Sequence, residues 1–123
     1  MPKLHIVLPL PPRELSPNAR GGWQKTSKAK AEFRRLAHSA SWRAMAYFGM
    51  EQPPRLREGE LCVTFYHIVK RRRDPTNYDA MLKAAIDGIV DAGVYNDDDW
   101  LQPPRVRFEI DKANPRTELV HEW

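Results

Sequence analysis

Apolar and polar positions alternate at the start of the chain. Leu4, Ile6, Leu8 and Leu10 fall on every second residue, which predicts a strand with one strongly apolar face. Pro9, Pro11, Pro12 and Pro17 then hold the chain extended, and Gly21-Gly22 predict a flexible tip to an ordered arm. From about Ser27 to Tyr47 the period becomes helical, with Phe33, Leu36, Ala37, Ala40, Ala44 and Phe48 as the apolar stripe. Pro53-Pro54 break that pattern. The segment 60–69 (ELCVTFYHIV) is apolar on both faces and predicts a central strand.

A second helix is predicted after Asp74-Pro75-Thr76-Asn77. Pro75 suits a helix start, Asp74 or Thr76 can cap it, Tyr78, Leu82, Ala85, Ile86 and Ile89 form its core face, and Gly93 can end it. Val106, Phe108 and Ile110 alternate with Arg105, Arg107 and Glu109 in a one-sided strand, and Asn114-Pro115 turn the chain into a last strand near residues 117–122. The expected fold is therefore α+β: a small mixed β-sheet with two main helices in the order β–α–β–α–β–β. One domain is expected over residues 1–123. Hairpins cannot join all of the first three strands, so some parallel pairing is expected.

Charge changes this picture more than composition does. The net charge of +4 conceals a division of the chain. Residues 1–73 hold fifteen Lys/Arg and five Glu, whereas residues 74–123 hold five Lys/Arg and eleven Asp/Glu. A basic half suits polyphosphate and an acidic half suits a divalent cation; the two halves could equally neutralise each other within one fold. Cys62 is the only cysteine, so no disulfide forms within the chain and CxxC metal clusters are excluded. No apolar run approaches the ~20 residues of a membrane span, and the first residues are too short an apolar stretch for a signal peptide. No membrane partner and a reducing, cytoplasmic setting are expected. The absence of a Walker loop or dinucleotide fingerprint argues against a nucleotide cofactor.

Asp74 stands where a buried strand meets a helix, and Asp97, Asp98 and Asp99 follow the far end of that helix. Such carboxylates can hold Mg²⁺, which takes one or two of them together with water and substrate phosphate; they can also be a helix cap and a solvated turn. Asp79, Lys83 and Asp87 fall at successive i, i+4 steps. They read either as surface salt bridges or as a lysine placed to stabilise charge on an attacked phosphate. The run Lys70, Arg71, Arg72 and Arg73 calls for an anionic partner. Arg20, Lys28 and Lys30 are further candidates for DNA contacts. Trp23 and Trp100 either complete the core or stack on bases. Cys62 and His67 read as core residues of the central strand.

The spacing of these motifs carries a resemblance. RRRDPTN, a helix containing KAAIDGIVDAG, then VYNDDD resembles the RusA family of Holliday-junction resolvases, including the RusA-like nucleases of phages and prophages. LPLPPRELSPNAR and the basic helix after it are similar as well, so the resemblance spans nearly the whole chain. It implies a small homodimer in the cytoplasm of a bacterial or phage-infected cell, cutting branched, four-way DNA symmetrically in recombination and repair. The cofactor implied is Mg²⁺, with Mn²⁺ as a substitute. The family roles fall on Asp74 and Asp98 as metal-binding catalytic carboxylates, on Lys83 as the catalytic lysine, on Asp97 as a supporting ligand, and on Asn77 as a positioning residue.

Two departures from the family pattern stand out. Thr76 occupies the place of the second Asp in Asp-x-Asp-Asn, and Lys83 lies nine residues after Asp74 instead of six. Three extra helical residues turn the chain by about 300°, so Lys83 faces nearly the same way one turn further on. The extension also brings in Asp79 as a replacement carboxylate. The alternative is a non-catalytic protein that binds branched DNA and has lost a metal carboxylate at Thr76.

Overall fold

A computed structural model describes residues 1–17 and 19–123; Asn18, within the arm motif, lies outside the described residues. The alternation at the N-terminus forms β1 (Lys3–Leu8), with Leu4, Ile6 and Leu8 buried and the intervening residues exposed. β2 (Glu60–His67), β3 (Arg105–Ile110) and β4 (Arg116–Glu122) complete one mixed sheet in the order β1-β4-β2-β3. β4 pairs antiparallel with both β1 and β2, while β2 and β3 run parallel from Cys62 opposite Arg105 to His67 opposite Ile110. Parallel neighbours need a long crossover, and α2 (Asp79–Asp91) supplies it. The α+β class, the element order and the parallel pair all match the expectation.

Three expectations are corrected. The first helix, α1 (Gly22–Phe48), begins five residues before the expected Ser27 and absorbs Gly22 from the supposed tip. Its first turn buries no apolar side chain, so hydrophobic periodicity could not reveal it. β2 is central, yet its burial alternates, with Leu61, Val63 and Phe65 inside and Cys62, Thr64 and Tyr66 only half covered. The apolar residues of its second face are shielded by long side chains, as where the Arg116 guanidinium lies 3.9 Å from the Tyr66 ring centre. Cys62 therefore sits on the open face and not in the core. The arm is also less extended than four prolines imply. A 3₁₀ turn at Arg13–Leu15 buries Leu15 and ties the arm down.

Both helices end where glycine allows. Gly49 and Gly93, at φ of 88° and 85°, close paired turns in which Met50 N–H donates to Met45 O and Val94 N–H donates to Ile89 O. These are the terminal hydrogen bonds that a left-handed residue makes possible. Phe33, Ala37 and Ala40 of α1 meet Met81, Leu82, Ala84, Ala85 and Ile89 of α2 within the core.

Gly88 sets how closely the helices approach. A Cβ there would fall onto the carbonyl oxygen of Arg34 and lie 2.7 Å from the Ala37 Cβ. Arg34 then grips Asp91 with two hydrogen bonds, Nε to Oδ2 at 2.6 Å and Nη2 to Oδ1 at 2.8 Å. Both side chains are roughly half exposed, which limits the pair to about 1 kcal/mol or less, so it fixes alignment more than stability. Gly88→Ala is expected to cost about 1–3 kcal/mol in urea unfolding, because backbone must move to admit the methyl. Ser41→Ala is the contrasting case. The Ser41 hydroxyl is buried on α1 without a hydrogen-bond partner among the described residues, so its removal should leave stability unchanged or raise it by about 0.5 kcal/mol.

Candidate functional site

α2 and the loop behind it carry most of the carboxylates singled out by the sequence, but the structure divides them. Asp74 caps the short 3₁₀ turn Pro75–Tyr78, its Oδ1 accepting the Thr76 N–H at 3.0 Å. Pro75 follows at the position where a missing N–H costs nothing. Asp79 opens α2 and is exposed. Asp97 is occupied within its own loop, with Oδ1 accepting the Asp99 N–H and Oδ2 accepting Asn96 Nδ2, both at 3.3 Å.

Asp98 turns back to α2, where Lys83 Nζ donates to its Oδ2 at 3.1 Å and meets Asp87 Oδ1 at 3.0 Å. Of the two expected i, i+4 pairs, Lys83 thus makes the one with Asp87, and Asp98 fills the second place. Hydrogen bonds donated to Asp87 and then to Asp98 raise the affinity of Lys83 for its proton, so it stays an ammonium group. An ammonium has three N–H donors. Two are used, and among the described residues the third is left for an outside acceptor.

Asp87 is the site residue that sequence reading gave only a salt-bridge role. Its helical spacing from Lys83 was visible; its approach to Asp98 depends on how the loop folds. Lys83 and Asp87 line a groove of about 420 Å³ whose opposite wall is Lys30 and Arg34 of α1.

Magnesium needs oxygen ligands converging on one point. Among the described residues, no three His, Cys, Asp or Glu side chains come together as a group that could hold a metal ion. The set Asp74, Asp79, Asp97 and Asp98 is therefore not gathered into one cation site, and Asp98 faces the Lys83 ammonium instead. Thr76 lends the site a backbone N–H, which Asp74 accepts.

The expected DNA-contacting residues also separate. Lys70, Arg71 and Arg72 are exposed on the link between β2 and Asp74, with Arg73 half-buried. Arg20 joins Arg13, Arg71 and Arg73 around a hollow of about 760 Å³ between arm and link. Lys28 instead lines a mainly apolar hollow between the arm and α1, and Lys30 faces the Lys83 groove. Asn77 borders a further hollow with His67, which is half-buried and shares a 3.3 Å hydrogen bond with Tyr78 Oη. The two tryptophans part company. Trp23 is 75% exposed on the first turn of α1 and completes no core, whereas Trp100 packs edge-on against Tyr95 and His121, with ring centres 5.3 Å and 5.8 Å away.

Sequence reading assigned nothing to His121 and Tyr95, although they anchor the loop that carries Asp98. His121 is fully buried; its Nε2–H donates to Glu58 O at 2.8 Å, and its Nδ1 accepts the Tyr95 O–H at 2.7 Å. Trp100, the residue after Asp97-Asp98-Asp99, rests on that pair. In the structure His121 lies on the buried face of β4 with Thr117 and Leu119, and its two hydrogen-bond partners come from distant segments.

A two-layer α+β protein with a clamped lysine on its second helix and an arginine-lined hollow beside the same helix's approach is thus defined. No family model matches the chain. It is 33% identical over 108 residues to an uncharacterized protein of Xylella fastidiosa (strain Temecula1 / ATCC 700964), an alignment covering 88% of this chain and 69% of that protein. The chain belongs to the same family as that protein. No helix among the described residues is long and apolar enough to cross a membrane.

Burial lowers the pKa of His121 from its ordinary 6.5, and burial with the nearby Arg73 charge lowers that of His67. The folded state holds both rings neutral, while the unfolded chain takes up protons near pH 6.5. Stability from these two groups is therefore complete above that pH and is lost as pH falls through it toward the folded values. Thermal melts should show a decline in Tm below about pH 6.5. His121→Gln, which cannot titrate, should flatten that decline whatever its effect at neutral pH.

Proposed function

We propose that this protein is a RusA-like endonuclease that hydrolyses phosphodiesters in branched DNA, acting as a homodimer. The observation that carries this reading is the Lys83 ammonium, fixed by Asp87 from its own helix and Asp98 from the following loop, with one donor left over. A phosphodiester in the α1–α2 groove would meet that donor, with Lys30 and Arg34 on the facing wall. Attack of water on phosphorus builds negative charge on the phosphoryl oxygens as the bond to the sugar oxygen breaks. A cation already in position stabilises that charge without reorganising. The separation of basic and acidic halves and the sequence resemblance support the same reading. The resemblance implies magnesium, which Asp74 and Asp98 would hold, although in this structure Asp98 is engaged by Lys83. Because no three of the expected carboxylates come together among the described residues, the catalytic step that rests on this chain's own groups is the one made by Lys83. Two symmetric cuts in a four-way junction call for a twofold pair of sites.

The second reading is a non-catalytic protein that binds branched DNA. It is favoured by the scattered carboxylates and by Thr76, which offers no carboxylate where the family pattern has one.

Cleavage of a synthetic four-way junction in Mg²⁺ or Mn²⁺, against linear duplex of the same sequence, separates the two. The nuclease reading expects preferential cutting of the junction. Lys83→Ala should then lose about 10²–10³ in rate, and Asp98→Asn should abolish cutting with binding retained. Tight, salt-sensitive junction binding with no cutting in either metal would leave the second reading in place. Sedimentation at the mass of one chain, with junction present, would remove the homodimer.

A further inference from the structure

The hollow between arm and link is walled by four guanidinium groups, Arg13 and Arg20 on one side and Arg71 and Arg73 on the other. Glu14 also lines it, yet among the described residues none of the four arginines forms an ion pair. Four cations around a concavity that holds a single carboxylate, Glu14, leave an excess of positive charge, and a polyanion relieves the repulsion among them. A second hollow of about 300 Å³ adjoins the first and shares Arg13, Ser16 and Arg73 as walls.

The character of this second hollow is different. It lies at the carboxyl end of β2, where His67 is the last strand residue, and is bordered by the Tyr78 and His67 rings, the Met81 side chain and the Asn77 amide. Tyr78 is itself held by Phe65 and Phe108, with ring centres 4.4 Å and 5.3 Å away. Its volume is at the lower end of the roughly 300–1,000 Å³ of small-ligand pockets, enough for one planar heterocycle and too small for a base pair.

We propose that the two hollows form one nucleotide cradle, in which the arginines hold the phosphates of a DNA strand and the smaller pocket takes one unpaired base of that strand. The Tyr78 and His67 rings give the base a surface for stacking, and the Asn77 amide and Arg73 guanidinium give its edge hydrogen-bonding partners. The protein would thereby favour DNA whose bases are already unpaired, since these enter without loss of pairing energy. The proposal rests on the DNA-binding half of the reading above and is independent of hydrolysis.

Fluorescence anisotropy in EDTA tests it with the full chain and two labelled duplexes, one fully paired and one carrying a single bulged 2-aminopurine. The bulged duplex should bind about tenfold more tightly, with a change in 2-aminopurine emission as the base leaves its stack. Asn77→Ala and Tyr78→Ala should bring its affinity to that of the paired duplex, which itself stays unchanged. Tyr78 packs on the core and its variant could fail to fold; Asn77 is exposed, so Asn77→Ala supplies the readout in that case. Arg13→Ala and Arg71→Ala should weaken both duplexes alike and reduce the salt slope by about 0.9 for each phosphate that is no longer neutralised. Equal affinity of the wild-type chain for both duplexes, or a bulge preference that survives Asn77→Ala, would overturn the cradle. A bulge preference without any cutting of junctions would remove only the nuclease reading, and cutting of junctions without a bulge preference would remove only the cradle.

Discussion

The helix crossing leaves no space for a methyl group at Gly88, and most of the architecture depends on that close approach. With α2 pressed onto α1, Ala37, Ala84 and Ala85 are buried and Arg34 can reach Asp91. The same approach sets the groove in which Lys83 faces Lys30 and Arg34. α2 is also the crossover that makes β2 and β3 parallel, so its seat on α1 fixes where the chain leaves and re-enters the sheet. Small residues make such approaches possible because close packing rewards matched surfaces and penalises both gaps and overlaps.

Charge follows from this geometry. The basic half of the chain contributes both walls of the arginine hollow and one wall of the Lys83 groove, while the acidic half supplies the clamp on Lys83. Neutralisation across the fold and exposure of positive charge therefore occur together. Lys83 is paired, as are Arg34 and Arg116, whereas among the described residues the arginines of the arm and link form no ion pair. Paired cations hold elements in place, and unpaired ones remain available to an anion.

Sequence periodicity made β1 and α2 legible because each buries one face and exposes the other. It marked the final strands through a weaker contrast, exposed against half-covered in β3 and half-covered against buried in β4. It failed where that contrast is missing. The first turn of α1 buries no apolar side chain, so nothing in the pattern distinguishes Trp23 and its neighbours from a loop. Apolar residues on both faces of β2 pointed to double burial, although only one face is packed. Within the candidate site, Lys83 and Asp87 were legible together because helical spacing is local. The partnership of Asp98 with them and the support of its loop by Trp100, Tyr95 and His121 were not, since these interactions join segments far apart in sequence. The same applies to Arg13, which becomes part of a charged wall only when the arm folds against the link.

The strand order has a consequence for how the molecule is made. β1 pairs only with β4, and β4 lies between β1 and β2. On the ribosome, β1 must wait for β4 before it gains its neighbour in this sheet. Until then β2 and β3 can pair around their helix, but both edges of β1 remain open to other chains. Closing so long a loop carries its entropic cost before the reward of pairing arrives. Insertion of β4 between two waiting strands is thus the event that completes the sheet, and a nascent chain stalled before it would present an adhesive edge suited to chaperone capture.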